Sequence, residues 1–170
     1  MPVGNYLQSP TEGRLEMTRY ELFNFLHIVG AIAWVGGGIG LTILGRRLVA
    51  ARDHATLVGI NDQGKALGNW LFAPASVLTL GAGIAMVVDS PLIGFGEAWV
   101  LIGFGGIVAS GAVEGLIGQR AAKQFTSDIQ QYGAGSPQAT ASASRLTLGG
   151  TLDVLLLLIV VLAMVVKPGA

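Results

Sequence analysis

His27, Glu114 and Asp153 are the ionisable residues that fall inside long apolar stretches of this 170-residue sequence. Ionisable side chains are costly inside a membrane, and those found there tend to mark a function or a buried pair. Glu114 lies about one turn from the end of the third apolar stretch, and Asp153 lies at a similar depth early in the fourth. Because consecutive spans run in opposite directions, we expect both carboxylates in the same leaflet. Any chemistry of the protein therefore starts from these three residues.

The two carboxylates allow three interpretations. The first is a structural salt-bridge network, because guanidinium groups pair well with carboxylates. The second is a proton or cation site built from Glu114 and Asp153 together. The third is that the side chains snorkel to the lipid headgroups. The arginines expected within reach are Arg46, Arg47, Arg120 and Arg145.

His27 lies about two turns into the first apolar stretch, with Trp34 seven residues later on the same helical face. It can be an axial ligand of haem b or another tetrapyrrole, a metal ligand, or a hydrogen-bond donor between helices. His54 is roughly 40 Å away along a continuous helix, so one chain cannot hold one haem with both histidines. A second ligand must be a methionine or the His27 of a second copy. The methionines expected in the same leaflet are Met86 and Met164.

Composition excludes several other classes of function. The chain has no cysteine, which removes thiol nucleophiles, disulfides and cysteine-bound metals. It contains neither HExxH nor a serine nucleophile elbow, and the WVGGGIG segment lies in an apolar run without a following GK[ST]. The net charge is zero, so nothing indicates nucleic-acid binding. We therefore expect no soluble-type enzyme site.

The surrounding sequence is that of a membrane protein. Hydrophobic residues make up 52% of the chain and charged residues only 12%, too few to cover a soluble domain. Apolar runs near the ~20 residues needed to span a bilayer occur at four places. We expect an all-α polytopic protein, an antiparallel four-transmembrane-helix bundle over residues 20–170, preceded by an external tail at 1–19 that can contact a partner. The predicted spans are 22–45, 71–88, 99–118 and 146–166.

The positions of Lys and Arg predict the orientation of the bundle. Loops 1–2 and 3–4 hold seven basic residues, whereas the opposite side holds Arg14, Arg19 and Lys167. Because cytoplasmic loops are enriched in basic residues, we expect both termini to be non-cytoplasmic. The first apolar run is too long for a signal-peptide core, so we expect the first span to be retained.

Glycine supplies 26 residues, and in membranes small residues let helices pack closely. In the third span, one helical face is predicted to be buried, and Gly111 with Gly115 forms a GxxxG pair beside it. That face comprises Gly103, Gly106, Ser110, Glu114 and Gly118.

The connections between spans carry further expectations. Segment 119–132 is expected to extend the third helix, and residues 57–67 are expected to extend the second. The small-residue linker 133–144 is expected to be mobile, with nothing to pack against.

Four segments carry a resemblance to a known family. They are FLHIVGAIAWVGGGIG, LFAPASVLTLGAGIAMVV, GFGEAWVLIGFGGIVASG and RLTLGGTLDVLLLLIVVLAMVVKPG. Together they resemble the bacterial predicted integral membrane family called domain of unknown function 2269, over roughly residues 20–169. That resemblance implies a four-helix protein of the bacterial plasma membrane with no assigned activity.

The LHxxGAxxWVGG pattern that contains His27 and Trp34 is also similar to the first helix of CopD-type copper-resistance proteins and of HemJ-type membrane proteins. In the HemJ type, a comparable histidine is associated with haem. The leading hypothesis is a non-catalytic binding or accessory subunit of a membrane complex, or a homodimer, with a haem or metal contact at His27. The alternatives are a small transporter or proton-coupled protein using Glu114 and Asp153, and a purely structural subunit.

Overall fold

The computed structural model describes residues 17–169, and these form helices joined by short connections. The helices are α1 (Arg19–Ala51), α2 (His54–Asp62), α3 (Gly64–Leu67), α4 (Ala73–Asp89), α5 (Ala98–Val113), α6 (Gln119–Tyr132) and α7 (Pro137–Val166). Two π-helical segments, Gly68–Phe72 (π1) and Glu114–Gly118 (π2), join α3 to α4 and α5 to α6 without a break. Most of the tail predicted at 1–19 lies outside the described residues.

Four helices are long and apolar enough to cross a membrane: Arg19–Ala51, Gly68–Asp89, Ala98–Tyr132 and Pro137–Val166. They confirm the all-α class and the expected number of apolar helices. Each helix is longer than its predicted span because polar caps and extensions lie beyond the apolar run. At the start of α1, for example, Thr18 and Glu21 form a capping box in which each side chain accepts a hydrogen bond from the other's backbone N–H.

The helices pack side by side in the order α4, α1, α7, α5. Helix α1 packs against α4 and α7, and α7 packs against α1, α5 and α6. Among the described residues, α4 and α5 share no comparable interface although they are consecutive in the chain. The bundle is therefore open along one side, and large apolar side chains such as Val77, Val108 and Leu162 are left exposed there or towards lipid.

Helix α1 uses separate faces for its two neighbours. Towards α4, Gly30 lies so close that an added Cβ would be 2.5 Å from Thr79 Oγ1 and 2.9 Å from Ala75 O. Towards α7, a Cβ at Gly45 would contact Thr147 at 3.1 Å. Glycines on the remaining faces, such as Gly36, have nothing within 4 Å. Small residues thus mark two interfaces, as expected when packing rather than water drives helix association.

The interface between α5 and α7 confirms the predicted small-residue face in large part. Gly103, Gly106, Ser110 and Gly118 are buried, and Cβ atoms at Gly103 and Gly106 would overlap Met164 and Val160 of α7. Two parts of the prediction are wrong. Glu114 is exposed, and the Gly111/Gly115 pair has no neighbour within 4 Å. The π-helical segment begins at Glu114 and changes the helical phase there, and α7 covers only one side of α5.

One end of the bundle carries a small core outside the spans. Phe125 of α6 is fully buried and packs with Leu57 of α2 and Ala143 of α7. This contradicts the expectation of a mobile linker at 133–144, because Ser136 caps α7 and the segment from Pro137 is helical. The linker's small residues, Ala139 and Ala143 among them, are what allow α6 to approach α7 closely. The predicted extension at 119–132 is helical as expected, whereas the one at 57–67 is correct only in part: Gly64–Leu67 continues into the second span, but α2 is a separate helix that ends before Gln63.

We call this end the arginine-rich end, because Arg46, Arg47, Arg120 and Arg145 lie there. At the opposite end, Arg19 pairs with Asp89 at 3.1 Å, and Lys167 Nζ lies 5.2 Å from the centre of the Trp99 ring. These contacts tie the start of α1 to the end of α4 and the end of α7 to the start of α5. Both ends of the helical domain are therefore on the same side, as an even number of spans requires.

Candidate functional site

His27 lies in the interface between α1 and α4. Its Nδ1 is 2.7 Å from the backbone oxygen of Thr79, and because a carbonyl only accepts, the ring proton must be on Nδ1. Gly83 makes room for the ring, since a Cβ there would lie 3.1 Å from His27 Nδ1. The hydrogen bond fixes the orientation of the imidazole and leaves the lone pair on Nε2.

The Nε2 atom of His27 has no hydrogen-bond partner among residues 17–169, and it is not buried. An imidazole whose Nδ1–H is held by a backbone carbonyl while Nε2 remains accessible is the arrangement typical of a ligating histidine. The same hydrogen bond also joins two helices. The geometry of His27 is thus consistent with a hydrogen bond that holds α1 to α4, and it also leaves Nε2 able to bind a ligand.

Trp34 follows His27 on the face of α1 that packs on α4. The spacing of His27, Gly30, Trp34 and Gly37 alternates between three and four residues, which keeps all four on one helical face. Gly30 contacts Thr79 of α4, and Gly37 contacts Phe72 in π1. Trp34 is partly buried between these contact points. The structure therefore places His27 and Trp34 along one interface, as the sequence predicts.

The two methionines lie at different interfaces. Met86 is partly buried on α4, three residues after the Gly83 that contacts His27. The methyl end of Met164 packs on Gly103, between α7 and α5. His27 and Met86 thus belong to the α1–α4 pair, whereas Met164 packs on a helix at the other side of the bundle. Among residues 17–169, no cluster of three or more His, Cys, Asp or Glu side chains is suited to hold a metal ion.

Asp153 is held by a serine. Ser110 Oγ of α5 donates a hydrogen bond to Asp153 Oδ1 of α7 at 2.5 Å, and Ser110 is buried. The expected salt-bridge network is wrong for the described residues, in which no arginine lies within 4 Å of Asp153 or Glu114. The reason is the helix register: Ser110 faces Asp153 directly across the interface, whereas the arginines lie at exposed positions nearer the helix ends.

Glu114 begins the π2 segment. Its carboxylate lies against Gly118 at the end of that segment, where an added Cβ would lie 2.5 Å from Oε2. π-Helical turns inside α-helices are rare and often occur at functional sites. Ser110 and Asp153 form a polar contact between α5 and α7, and Glu114 lies at an exposed position one turn after Ser110. The sequence placed these residues at similar depths but gave no sign of the π turn.

Sequence reasoning did not predict that His54 is buried. This histidine begins α2, is only 4% exposed, and bonds through Nδ1 to the backbone oxygen of Ala134. Its Nε2 is buried without a partner in the described part of the chain. The signal available was Leu57, three residues later and on the same face of a helical pattern. Sequence reasoning did not predict the contact of Thr79 with His27 either, because Thr79 makes it through its backbone oxygen and not through its side chain.

Comparisons with known proteins agree with this architecture at the level of the family. No curated protein and no solved structure matches the chain. The model of one family matches residues 21–168, which is nearly the whole chain and covers all but the first two residues of the four apolar helices. The chain therefore belongs to DUF2269, a family of predicted integral membrane proteins.

Proposed function

We propose that this multi-pass membrane protein is a non-catalytic binding or accessory subunit that holds a haem or another tetrapyrrole through His27. The observation that carries the proposal is the hydrogen bond from His27 Nδ1 to the Thr79 carbonyl, which would leave Nε2 free to ligate the iron. Trp34, on the same face, supplies an aromatic surface. When bound, haem would supply redox chemistry that a chain without cysteine must take from a cofactor.

If haem is bound, a second protein ligand would come from Met86 or from a second copy of the chain. Met86 lies on α4, the helix that accepts the hydrogen bond of His27, whereas Met164 packs against α5. In a homodimer, the His27 of each copy would supply one ligand. The similarity of the LHxxGAxxWVGG pattern to CopD-type and HemJ-type proteins supports the same assignment. A location in the bacterial inner membrane, with both termini outside the cytoplasm, completes the proposal.

The test is a visible absorption spectrum of the protein purified in mild detergent, before and after addition of haem. We expect a Soret-type band in the wild type and its loss in His27→Gln, because glutamine can still donate to the Thr79 carbonyl but binds iron poorly. His54→Gln is the matched control and should keep the band. Absence of a band in the wild type with added haem would refute the proposal, and its retention in His27→Gln would refute the assignment to His27.

Partner and orientation are tested separately. Stoichiometric co-purification of another membrane protein would support the accessory role, and clean isolation as a monomer would oppose it. Because the chain has no cysteine, single cysteines report sidedness directly. Leu92→Cys, in the 89%-exposed position between α4 and α5, should react with an impermeant thiol reagent from outside the cell, and Gly135→Cys should not.

A second candidate is a proton-coupled role for Glu114 and Asp153. The observation that favours it is that neither carboxylate is neutralised by a described arginine, while Glu114 sits at a π turn. We expect Glu114→Gln with Asp153→Asn to abolish proton flux into vesicles that contain a pH-sensitive dye. Glu97→Gln, in the connection before α5, is the control. Unchanged flux in the double variant would exclude this candidate.

A further inference from the structure

A cavity lies between α6 and α7 at the arginine-rich end. Its volume is about 420 Å³, and its polar lining consists of Arg120 and Gln124 from α6 with Ser142 and Arg145 from α7. The hydroxyl of Ser142 already donates to carbonyl oxygens of its own helix, at 3.1 Å to Gln138 and to Ala139. The guanidinium groups of Arg120 and Arg145 are thus the charged hydrogen-bond donors that the cavity offers to a ligand.

The cavity carries a positive charge that the described residues do not neutralise. No acidic side chain lines it, and neither Arg120 nor Arg145 has a carboxylate within 4 Å in residues 17–169. The nearest acids along α6 and π2 are not among the residues that line it. Asp128 accepts a hydrogen bond from Gln124 at 2.7 Å, and the Glu114 carboxylate lies over its own helix. An anion that enters would meet two arginines and no repulsion from the lining.

Apolar surface continues from the arginines in the direction of the spans. Leu116, Leu148 and Leu152 line the same cavity, and each is about half exposed. Arg120 and Arg145 flank the two predicted spans at 99–118 and 146–166, at the depth where headgroups lie. A ligand that fits the whole site therefore has an anionic group at one end and hydrocarbon at the other.

We propose that this cavity binds an anionic phospholipid, with its phosphate between Arg120 and Arg145 and its acyl chains along the three leucines. Guanidinium groups bind phosphate oxygens in a bidentate manner, and basic pockets between transmembrane helices bind anionic headgroups. A free anion would use the arginines but not the leucines, so the lipid uses more of the site. The bound lipid joins α6 to α7 and stabilises the arginine-rich end.

The test is native mass spectrometry of the full chain in detergent, titrated with phosphatidylglycerol or with phosphatidylcholine of the same acyl chains. We expect Arg120→Gln with Arg145→Gln to weaken binding of phosphatidylglycerol about thirtyfold, with little change for phosphatidylcholine. The matched control is Arg46→Gln with Arg47→Gln, which removes the same charge from the same end but lies outside the cavity. It should change binding by less than about threefold.

Three outcomes would overturn the proposal: equal binding of the two lipids by the wild type, an equal loss in the two double variants, or full displacement of the lipid by millimolar glycerol phosphate. The last would show a site for a soluble anion. The substituted arginines are exposed, so the fold should persist; if the double variant does not fold, each single variant should still show a loss of about fivefold.

Discussion

Gly30 lies where α1 and α4 approach each other most closely, so a substitution there tests the packing of these two helices directly. A methyl group there would lie 2.5 Å from Thr79 Oγ1 and 2.9 Å from both Ala75 O and Thr79 N. Ordinary contact begins at 3.4 Å, so in Gly30→Ala the helices must separate by about 0.5 Å to relieve the two backbone contacts and by about 0.9 Å to relieve the contact with Thr79 Oγ1. The Thr79 hydroxyl cannot turn away freely, because it donates to Ala75 O at 2.8 Å.

The energetic cost follows from that separation. Overpacking of a close interface costs about 1–3 kcal/mol. The hydrogen bond from His27 to Thr79, one turn away, is 2.7 Å long and would stretch towards the upper limit for such a bond. Alanine also favours a helix over glycine by up to about 1 kcal/mol, which offsets part of the loss. We therefore expect Gly30→Ala to be destabilised by about 1–2 kcal/mol.

The assay is reversible unfolding in mixed detergent micelles, followed by helix content. Gly36→Ala is the matched control, because it lies on the same helix with nothing within 4 Å of its Cβ. The control should be as stable as the wild type or more so, by up to about 1 kcal/mol. Equal stability of the two variants would refute the close packing of α1 on α4 at Gly30.

Three further predictions follow from single contacts. Phe125→Ala should destabilise the protein by about 3–5 kcal/mol in the same assay, because Phe125 is fully buried. Hydrogen bonds from the Thr56 side chain and backbone lower the pKa of Asp53 below its usual 3.8, so Asp53 stabilises the fold above about pH 4 and this contribution is lost as the pH falls further. Asp53→Ala should therefore flatten the acid limb of the stability curve. Arg19→Gln should change stability by less than about 1 kcal/mol, because its bond to Asp89 is exposed.

Each of these has a clear contrary result. A loss below about 1 kcal/mol in Phe125→Ala would mean that the small core at the arginine-rich end does not form. If the stability of Asp53→Ala falls at acid pH as much as that of the wild type, the hydrogen bonds from Thr56 to Asp53 at the start of α2 are not made in the folded state. A loss above about 2 kcal/mol in Arg19→Gln would mean that the pair with Asp89 is shielded from solvent.

The small-residue pattern shows how far sequence reasoning reaches. Helical periodicity placed Gly103, Gly106 and Ser110 on one face, and that face is buried against α7. The same reasoning failed for Gly111 and Gly115, which form an equally good GxxxG motif but face away from the neighbouring helices. Periodicity identifies which residues share a face, but the face that meets a neighbour depends on where that neighbour packs.

The linker and the salt-bridge network failed for a related reason. Segment 133–144 consists of small and polar residues, which is typical of a flexible connection, yet Phe125 and Leu57 provide a surface on which its alanines pack. For Asp153, the sequence offered arginines with opposite charge, but Ser110 occupies the position across the interface. In both cases the deciding partner is distant in the sequence and neutral.

The sequence by itself determined that this protein is α-helical, has four segments able to span a membrane, and carries three ionisable residues, His27, Glu114 and Asp153, inside them. These are local properties, set by the length of apolar runs and the rarity of charge within them. Only the tertiary structure decided that α1 and α7 lie between α4 and α5, that His27 donates to Thr79, and that two arginines face one cavity. Those facts depend on helix order and register, which in a membrane are fixed by close packing of specific small residues rather than by a general hydrophobic force.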